Sequence, residues 1–297
     1  MQPDEAELER MAGLLEASGR YRVLRKLQTR APVVGSPSAV RRGLFVDVET
    51  TGLDPGRHEI IELAMVPFTY TLGGELLGVE EPFHSLREPS HPIPPEITAI
   101  TGLDAAAVAG HAIAPEAVHA FAAPAHLVVA HNAGFDRKFL ERFCEVFTTK
   151  AWACSMSQVD WAAEGYEGTK LGYLAAAAGF FYERHRATHD CHAAIELLAR
   201  PLPKTGRTGL AQLLDAARNP TIRIWAENSP FDLKDLLKAR GYRWSGGDDG
   251  APKAWWTDVA EADHTAELAW LRAEIYRREV EIAHRRIDAY DRFSSRL

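Results

Sequence analysis

The sequence has few cysteines, no long apolar run and no targeting signal at its start. Its three cysteines form no CxxC pair, so a structural zinc site is not expected. No apolar run approaches the length needed to cross a bilayer, which argues against a membrane partner. The first twenty residues carry acids early and lack the basic, apolar and small-residue order of a signal peptide. We therefore expect a cytoplasmic protein.

Positive charge is also in short supply. The 297-residue chain carries 34 Lys and Arg against 41 Asp and Glu, a net charge of −7, which at first argues against a nucleic-acid partner. The deficit lies in residues 43–220, where 13 basic side chains stand against 22 acidic ones. An acidic region can still handle phosphates when its carboxylates hold divalent cations, because the bound ions reverse the local charge.

Composition divides the chain into four parts. Residues 1–41 are expected to form an N-terminal extension with a helix, a basic segment and a linker rich in Pro, Gly and Ser. In residues 42–203, three strands are followed by alternating helices and strands, which predicts an α/β fold with a mixed sheet flanked by helices. Residues 204–220 are predicted to be a second linker. Residues 221–297 contain five of the seven tryptophans and are predicted to form a small α+β domain.

Two acids follow the apolar residues of the first strand in GLFVDVE. Asp47 and Glu49 are two positions apart, so their side chains point to the same face of the strand. Carboxylates placed together in this way repel one another and lose solvation on burial. A cation relieves both penalties, and hard oxygen ligands suit Mg²⁺ or Mn²⁺. Taken alone, such a pair is more often a solvated strand end.

Two later motifs supply further chemistry. Asp136 ends HNAGFD at the start of a helix, where an acid is favoured by the helix dipole whatever its function. In HRATHD, His185 lies in a predicted loop and Asp190 in the first turn of the following helix. A solvent-reachable histidine can accept a proton from water. Each residue has a structural explanation by itself, whereas the ordered set indicates one site.

The segments FVDVETTGLD, HNAGFD and HRATHD together resemble the DEDDh family of 3′→5′ exonucleases, which includes the proofreading (epsilon) subunit of bacterial DNA polymerase III. The resemblance covers roughly residues 42–200 and implies an RNase H-like fold. It also implies that two divalent cations, Mg²⁺ or Mn²⁺, bind to the acids of a two-metal hydrolase that releases nucleoside 5′-monophosphates. The implied metal ligands are Asp47, Glu49, Asp136 and Asp190, with His185 as the general base.

The resemblance further implies contacts with the substrate. The turn after the two acids would approach the terminal 3′-OH, the apolar residue after it would contact the terminal base, and two residues of HNAGFD would flank the channel. The corresponding residues are Thr50, Thr51, Gly52, Leu53, Asn132 and Phe135. For Thr51, Leu53 and Phe135, packing in a turn or a helix face is an equally good explanation.

The tryptophan-rich segment resembles the small helix-plus-hairpin modules found beside nucleic-acid enzymes, such as the HARP-type modules of annealing helicases. One interpretation is that aromatic side chains stack on bases while basic ones contact phosphates. The candidates are Trp244, Trp255 and Trp256, with Lys238, Arg240, Arg243 and Lys253. The alternative is that the tryptophans form the core of a small domain. A long charged helix is expected from about Asp263.

Three functions fit these features. The preferred one is a 3′→5′ exonuclease acting on single-stranded or frayed DNA in repair or proofreading, because compact RNA trimmers lack an appended domain. An RNA-trimming exoribonuclease would use the same catalytic residues. A non-catalytic nucleic-acid-binding scaffold is disfavoured by the complete five-residue set. The C-terminal domain is a possible contact for a polymerase or repair protein.

Overall fold

The computed structural model of the protein describes residues 3–30, 40–247 and 252–297, so most of the first predicted linker lies outside the described residues. Its strands are β1 (Arg25–Lys26), β2 (Val40–Thr50), β3 (Ile60–Thr71), β4 (Leu76–Val79), β5 (Phe83–Leu86), β6 (Leu127–Ala130), β7 (Ala151–Cys154), β8 (Phe180–Phe181), β9 (Thr221–Ala226), β10 (Arg243–Trp244), β11 (Trp255–Ala260) and β12 (His284–Ile287). Its helices are α1 (Glu5–Ala17), α2 (Pro95–Thr101), α3 (Ala105–Val108), α4 (Pro115–Ala122), α5 (Ala133–Phe143), α6 (Leu171–Ala177), α7 (Ala187–Ala199), α8 (Gly209–Arg218), α9 (Lys234–Ala239) and α10 (His264–Trp270). None of the described helices is long and apolar enough to span a bilayer.

The main sheet has the strand order β4-β3-β2-β6-β7, and β5 also pairs with β3. Strand β3 runs antiparallel to β2, β4 and β5, whereas β2, β6 and β7 are parallel. Side chains of β2 alternate between two cores, because successive residues of a strand face opposite ways. Phe45 packs with α6, α7 and α8, while Leu44 and Val46 pack with α4 and α5. The predicted mixed sheet flanked by helices is confirmed.

The carboxyl ends of the three parallel strands meet at one edge of the main sheet, which we call the carboxyl edge. It is formed where β2, β6 and β7 end, at Thr50, Ala130 and Cys154. Loops that follow parallel strands at such an edge commonly carry functional groups. The segments HNAGFD and VDVETTG both arrive there.

The prediction of a linker at residues 204–220 is wrong, because most of this segment forms helix α8. The side chains of Leu210, Leu213, Leu214 and Ala217 are buried in the main core. Their i, i+3, i+4, i+7 spacing gives the helix one apolar face. The first turn of α8 packs closely on the hairpin between β3 and β4, where Thr208 donates a hydrogen bond to the carbonyl of Gly74 at 2.7 Å.

The C-terminal segment forms a four-stranded antiparallel sheet in the order β10-β11-β9-β12, which we call the C-terminal module together with α9 and α10. The prediction of a long charged helix from about Asp263 is also wrong. Helix α10 ends at Trp270 and continues only as a π-helical turn over Leu271–Tyr276. Arg277 then adopts a left-handed conformation with φ 52°. The chain returns as β12, which buries Ile287.

The segment after β12 docks the C-terminal module onto the main sheet. The main-chain N–H of Trp152 in β7 donates to the carbonyl of Ala289 at 2.7 Å. Arg137 of α5 is fully buried and donates to the carbonyls of Tyr290 and Arg292, each at 2.6 Å. A buried guanidinium satisfied in this way fixes the segment firmly, because losing any partner would leave a desolvated charge.

The N-terminal extension also contacts the main domain. Strand β1 pairs in parallel with β8, directly before the segment that carries His185. Two basic side chains of this extension bond within the protein: Arg25 bonds to Glu9 and Glu16, and Arg30 bonds to Glu196 at 2.6 Å.

Candidate active site

Three of the predicted acids come together at the carboxyl edge. Carboxylate oxygens of Asp47, Glu49 and Asp190 all lie within 4.8 Å of one another. Asp47 and Glu49 project from the face of β2 that also carries Phe45, and α7 lies over this face with Asp190 in its first turn. The three side chains are only partly buried, so a ligand can reach them from solvent.

Asp136 lies beside this triad but is held by a different contact. It is 3% exposed in the first turn of α5, and its Oδ1 accepts a hydrogen bond from the N–H of Val48 at 3.2 Å. Val48 stands between Asp47 and Glu49 on β2, so this bond fastens the helix to the strand that carries the other acids. The charge of Asp136 is the strongest carboxylate influence on Asp47.

The electrostatics of the site favour a cation. Burial raises the pKa of Asp47 well above its ordinary value, and the carboxylates of Asp136 and Asp190 raise it further. Burial also raises the pKa of Glu49 to about 8 and that of Asp136 to about 7. The donor set consists of hard oxygen atoms, which is the chemistry that divalent cations such as Mg²⁺ prefer. The residues present therefore fit a metal-dependent site.

His185 lies on the exposed segment between β8 and α7. Its φ of 61° is in the left-handed region, which is uncommon for a residue other than glycine and is found more often at functional sites. Burial raises the pKa of Asp190, whereas the hydrogen bond from Tyr182 and the charge of His185 act to lower it.

Two residues of the site were missed by sequence reasoning. Glu62 lies on β3 directly opposite Glu49 and is 2% exposed. Its Oε1 contacts His84 Nε2 at 2.7 Å, while its Oε2 is buried and has no hydrogen-bond partner among the described residues. Tyr182 donates its hydroxyl proton to Asp190 Oδ1 at 2.8 Å. An acid inside the apolar strand IIELAMV was a signal for Glu62, but its position opposite Glu49 depends on strand register.

The turn after Glu49 is rigid. A register shift between β2 and β3 falls at Glu49 and Thr50, and such bulges often lie beside active sites. The Thr50 hydroxyl donates to the carbonyl of Gly52 at 2.7 Å, and Thr51 Oγ1 accepts from the N–H of Glu59 at 3.0 Å. A Cβ at Gly52 would lie 2.5 Å from the His58 ring, so a larger residue there would displace that ring. Both threonine side chains thus hold the turn.

The other predicted contact residues differ in exposure. Leu53 is 82% exposed at the end of the turn, which leaves its apolar side chain available to a ligand. Asn132 is exposed, precedes α5 and has a φ of 101°. Phe135 is half-buried and packs against Phe139 with ring centroids 4.9 Å apart, so part of its surface belongs to the core.

Comparisons with known proteins agree with this geometry. The Exonuclease (RNase_T) family matches residues 44–198, more than half of the chain. A DNA polymerase III subunit epsilon-like protein from Rhodobacter capsulatus is 35% identical over 175 residues, which cover 55% of this chain and 24% of that protein. Exodeoxyribonuclease 10 from Escherichia coli K12 is 28% identical over 184 residues, which cover 60% of this chain and 76% of that protein. The chain spans 24% or less of the length of the DNA polymerase III relatives that it matches.

The solved structures that resemble the chain include a zinc-bound complex of Escherichia coli exonuclease I with single-stranded DNA. It has a TM-score of 0.51 and 18% identity, and the match covers 74% of this chain and 63% of that chain. This likeness concerns the fold, and it agrees with the RNase H-like arrangement expected from the sequence. The matched residues 44–198 contain the four acids and His185. The chain belongs to the Exonuclease (RNase_T) family.

Proposed function

We propose that the protein is a metal-dependent 3′→5′ exonuclease that acts on single-stranded or frayed DNA ends and releases nucleoside 5′-monophosphates. The observation that carries this proposal is the cluster of Asp47, Glu49 and Asp190 oxygens within 4.8 Å, with buried Asp136 beside it. A site built from so many carboxylates with raised pKa values is poorly suited to a phosphodiester unless cations neutralise it.

The proposed roles follow from position. Asp47, Glu49, Asp136 and Asp190 would hold two divalent cations, Mg²⁺ or Mn²⁺. Bound cations of this kind stabilise the charge of a phosphodiester under attack and acidify a water molecule. His185, exposed beside Asp190, would take the proton from the attacking water. Tyr182 keeps Asp190 oriented through its hydroxyl hydrogen bond.

The residues around the acids would position the 3′ end. The rigid turn at Thr50, Thr51 and Gly52 brings main chain close to the acids, where it can meet the terminal 3′-OH. The exposed Leu53 side chain would pack against the terminal base. Asn132 and Phe135, at the start of α5, would border the strand as it enters.

DNA is the proposed substrate because the relatives are named as an exodeoxyribonuclease and as DNA polymerase III proteins. The same names support a role in repair or proofreading, with the C-terminal module as a contact for a polymerase or repair protein. The three cysteines are free and buried, which suits the reducing cytoplasm in which we place the protein.

The test compares three end-labelled substrates, namely single-stranded DNA, duplex DNA and RNA, each with Mg²⁺, Mn²⁺ or EDTA. We expect Mg²⁺- or Mn²⁺-dependent shortening of DNA from its 3′ end, fastest on the single strand. Degradation of RNA alone would overturn the DNA assignment and leave the alternative of an RNA-trimming enzyme. Binding without cleavage of any substrate would support the scaffold alternative.

A further inference from the structure

A groove of about 1160 Å³ separates the C-terminal module from the carboxyl edge of the main sheet. One wall is formed by residues 156–162 and Thr169, which follow β7. The other wall is formed by one face of the module's sheet, where Arg223, Trp225, Arg243 and Trp256 lie side by side. The groove is therefore built from both parts of the protein.

This face of the module is open because strand alternation directs the apolar residues of β9 to the other side. Ile222 and Ile224 are buried against α9 and α10, whereas Arg223 and Trp225 line the groove. A sheet of four strands needs only one buried face to be stable. The second face is free to carry side chains selected for binding.

The open face pairs aromatic rings with guanidinium groups. The guanidinium carbons of Arg223 and Arg243 each lie 4.1 Å from the centroid of the Trp256 ring. Arg223 is also held by Asp258 through bonds of 2.8 and 2.9 Å. Arg243 is exposed and has no ion-pair partner among the described residues. Arg243 is thus the guanidinium on this face that can bind a ligand.

The charged residues of the groove favour an anion. Among the residues that the structure describes, four basic ones line it against two acidic ones, in a chain whose net charge is −7. The basic residues are Lys138, Arg223, Arg243 and Arg292, and the acidic ones are Asp160 and Asp258. Arg292 is buried and donates to the carbonyl of Asn219 at 2.9 Å, so it serves the structure. Lys138 and Arg243 remain for phosphates.

The groove adjoins the candidate active site through α5. Gly134, in the first turn of this helix, lines the groove, while Asp136 two residues later faces the acids. The segment after β7 is tied to the same region through His131. Its Nδ1 contacts the Ser155 hydroxyl at 2.9 Å, and its Nε2 contacts the carbonyl oxygen of Thr169 at 2.8 Å. A chain leaving the acids along α5 would enter the groove.

We propose that this groove binds the single-stranded portion of the nucleic acid whose 3′ end lies at the carboxylates, an inference that rests on the proposed exonuclease function. Bases stack on the guanidinium of Arg243, which lies over the Trp256 ring at 4.1 Å, while Arg223 lies at the same distance from that ring. Arg243 and Lys138 contact phosphates. Sequence-tolerant stacking combined with basic groups is the usual way in which proteins hold a single strand.

The structure also separates these residues from the other sequence candidates. Arg240 is bonded to the buried carboxylate of Glu267 at 2.9 Å and stacks on Trp270 at 4.2 Å, so it belongs to the packing of the module. Lys238 is not among the residues that line the groove. The binding role therefore falls on Arg243, with Trp256 as the ring that holds its guanidinium in place.

The test uses the full chain and two substrates. One is a long single-stranded DNA oligonucleotide. The other is the p-nitrophenyl ester of thymidine 5′-monophosphate, which is too short to extend from the acids into the groove. We expect Arg243→Gln and Trp256→Leu to raise KM for the oligonucleotide roughly tenfold, with kcat/KM for the ester unchanged. Arg243→Lys should restore part of the loss by keeping the charge.

The control is Arg286→Gln, which removes an exposed arginine of the same sheet that does not line the groove. Thermal unfolding of every variant checks that the module is folded. Unchanged KM for the oligonucleotide in folded Arg243→Gln and Trp256→Leu would overturn the groove proposal. Hydrolysis of the oligonucleotide by the wild-type protein would still support the exonuclease function in that case. Equal losses on both substrates would also overturn it, and failure of the wild-type protein to cut either substrate would refute both proposals.

Discussion

At the scale of single residues, the carboxylates of the site are held in a state that burial disfavours. The pKa of Glu49 is raised from an ordinary value of 4.5 to about 8, and that of Asp136 from 3.8 to about 7. A divalent cation among these oxygens would remove the main cause of instability, because it replaces lost solvation and separates like charges. Metal binding and folding stability should therefore be linked.

This linkage gives a pH dependence for the metal-free protein. Glu49 and Asp136 ionise in the unfolded chain near their ordinary pKa values but retain protons in the folded state up to a higher pH. The folded state then binds more protons, so stability falls as the pH rises from about 4 towards about 8. We expect the unfolding temperature in EDTA to fall across this range and added Mg²⁺ to restore it most strongly at the upper end.

The matched control is the double variant Glu49→Gln, Asp136→Asn, in which most of the pH-dependent fall should disappear. Thermal unfolding monitored by circular dichroism measures both proteins. A wild-type fall no larger than that of the double variant would show that these acids are not strained by burial.

Glu62 is expected to support the metal site although it was not part of the sequence motifs. Its Oε2, which has no hydrogen-bond partner in the described part of the chain, and its place opposite Glu49 put a further negative group beside the proposed cations. In Glu62→Gln, the concentration of Mg²⁺ needed for half-maximal activity should rise roughly tenfold to a hundredfold, as for other groups that orient metal ligands. The measurement is a Mg²⁺ titration of nuclease activity.

Glu59→Gln serves as a comparison, because Glu59 lies just before the same strand and contacts Arg87 and Ser90 instead of the acids. It should leave the Mg²⁺ titration unchanged. An unaltered Mg²⁺ requirement in Glu62→Gln, together with a lower unfolding temperature, would assign Glu62 a structural role only.

At the scale of secondary-structure elements, α5 connects the functional parts of the protein. Its first turn carries Asp136 for the site and Gly134 for the groove, and its next residue, Arg137, holds the segment that follows β12. The helix therefore sets the position of the acids and of the C-terminal module together. A change on its buried side should affect both.

Arg137→Met tests this connection. It removes the donors to the carbonyls of Tyr290 and Arg292 and breaks the buried ion pair with Glu141, so we expect a loss of about 3–5 kcal/mol in the free energy of unfolding. The segment 288–297 should also become sensitive to protease. Chemical denaturation and limited proteolysis measure the two effects.

Arg142→Met is the control for this change, since Arg142 is on the same helix and exposed. It should change stability by less than about 0.5 kcal/mol. If Arg137→Met proved as stable as Arg142→Met, the C-terminal segment would not depend on the buried guanidinium.

The elements also show where sequence analysis succeeded and where it failed. The mixed sheet was predictable because its strands and helices carry clear local patterns. Helix α8 was missed because the KTGRTG loop suggested a boundary, although the spacing of Leu210, Leu213, Leu214 and Ala217 already described a buried helix face. The length of the C-terminal helix was overestimated, because the charged residues that form β12 have no alternating apolar pattern typical of a strand.

At the scale of the whole molecule, the predictable features are local and the others depend on contacts between distant segments. Asp47 and Glu49 stand on one strand end, so their proximity follows from the sequence alone. The position of Glu62 depends on the register between β2 and β3. The groove depends on the docking of the C-terminal module through Arg137, a residue that looks like an ordinary helix surface position in the sequence.

The central claim is that the carboxylate cluster is a metal-dependent centre that hydrolyses nucleic acid from its 3′ end. The most direct measurement follows 5′-labelled single-stranded DNA with Mg²⁺, comparing the wild-type protein with Asp47→Asn and with the wild type in EDTA. The account predicts progressive shortening from the 3′ end with release of nucleoside 5′-monophosphates, at least about 100-fold slower in Asp47→Asn and absent in EDTA. Undiminished cleavage by Asp47→Asn or in EDTA would contradict it.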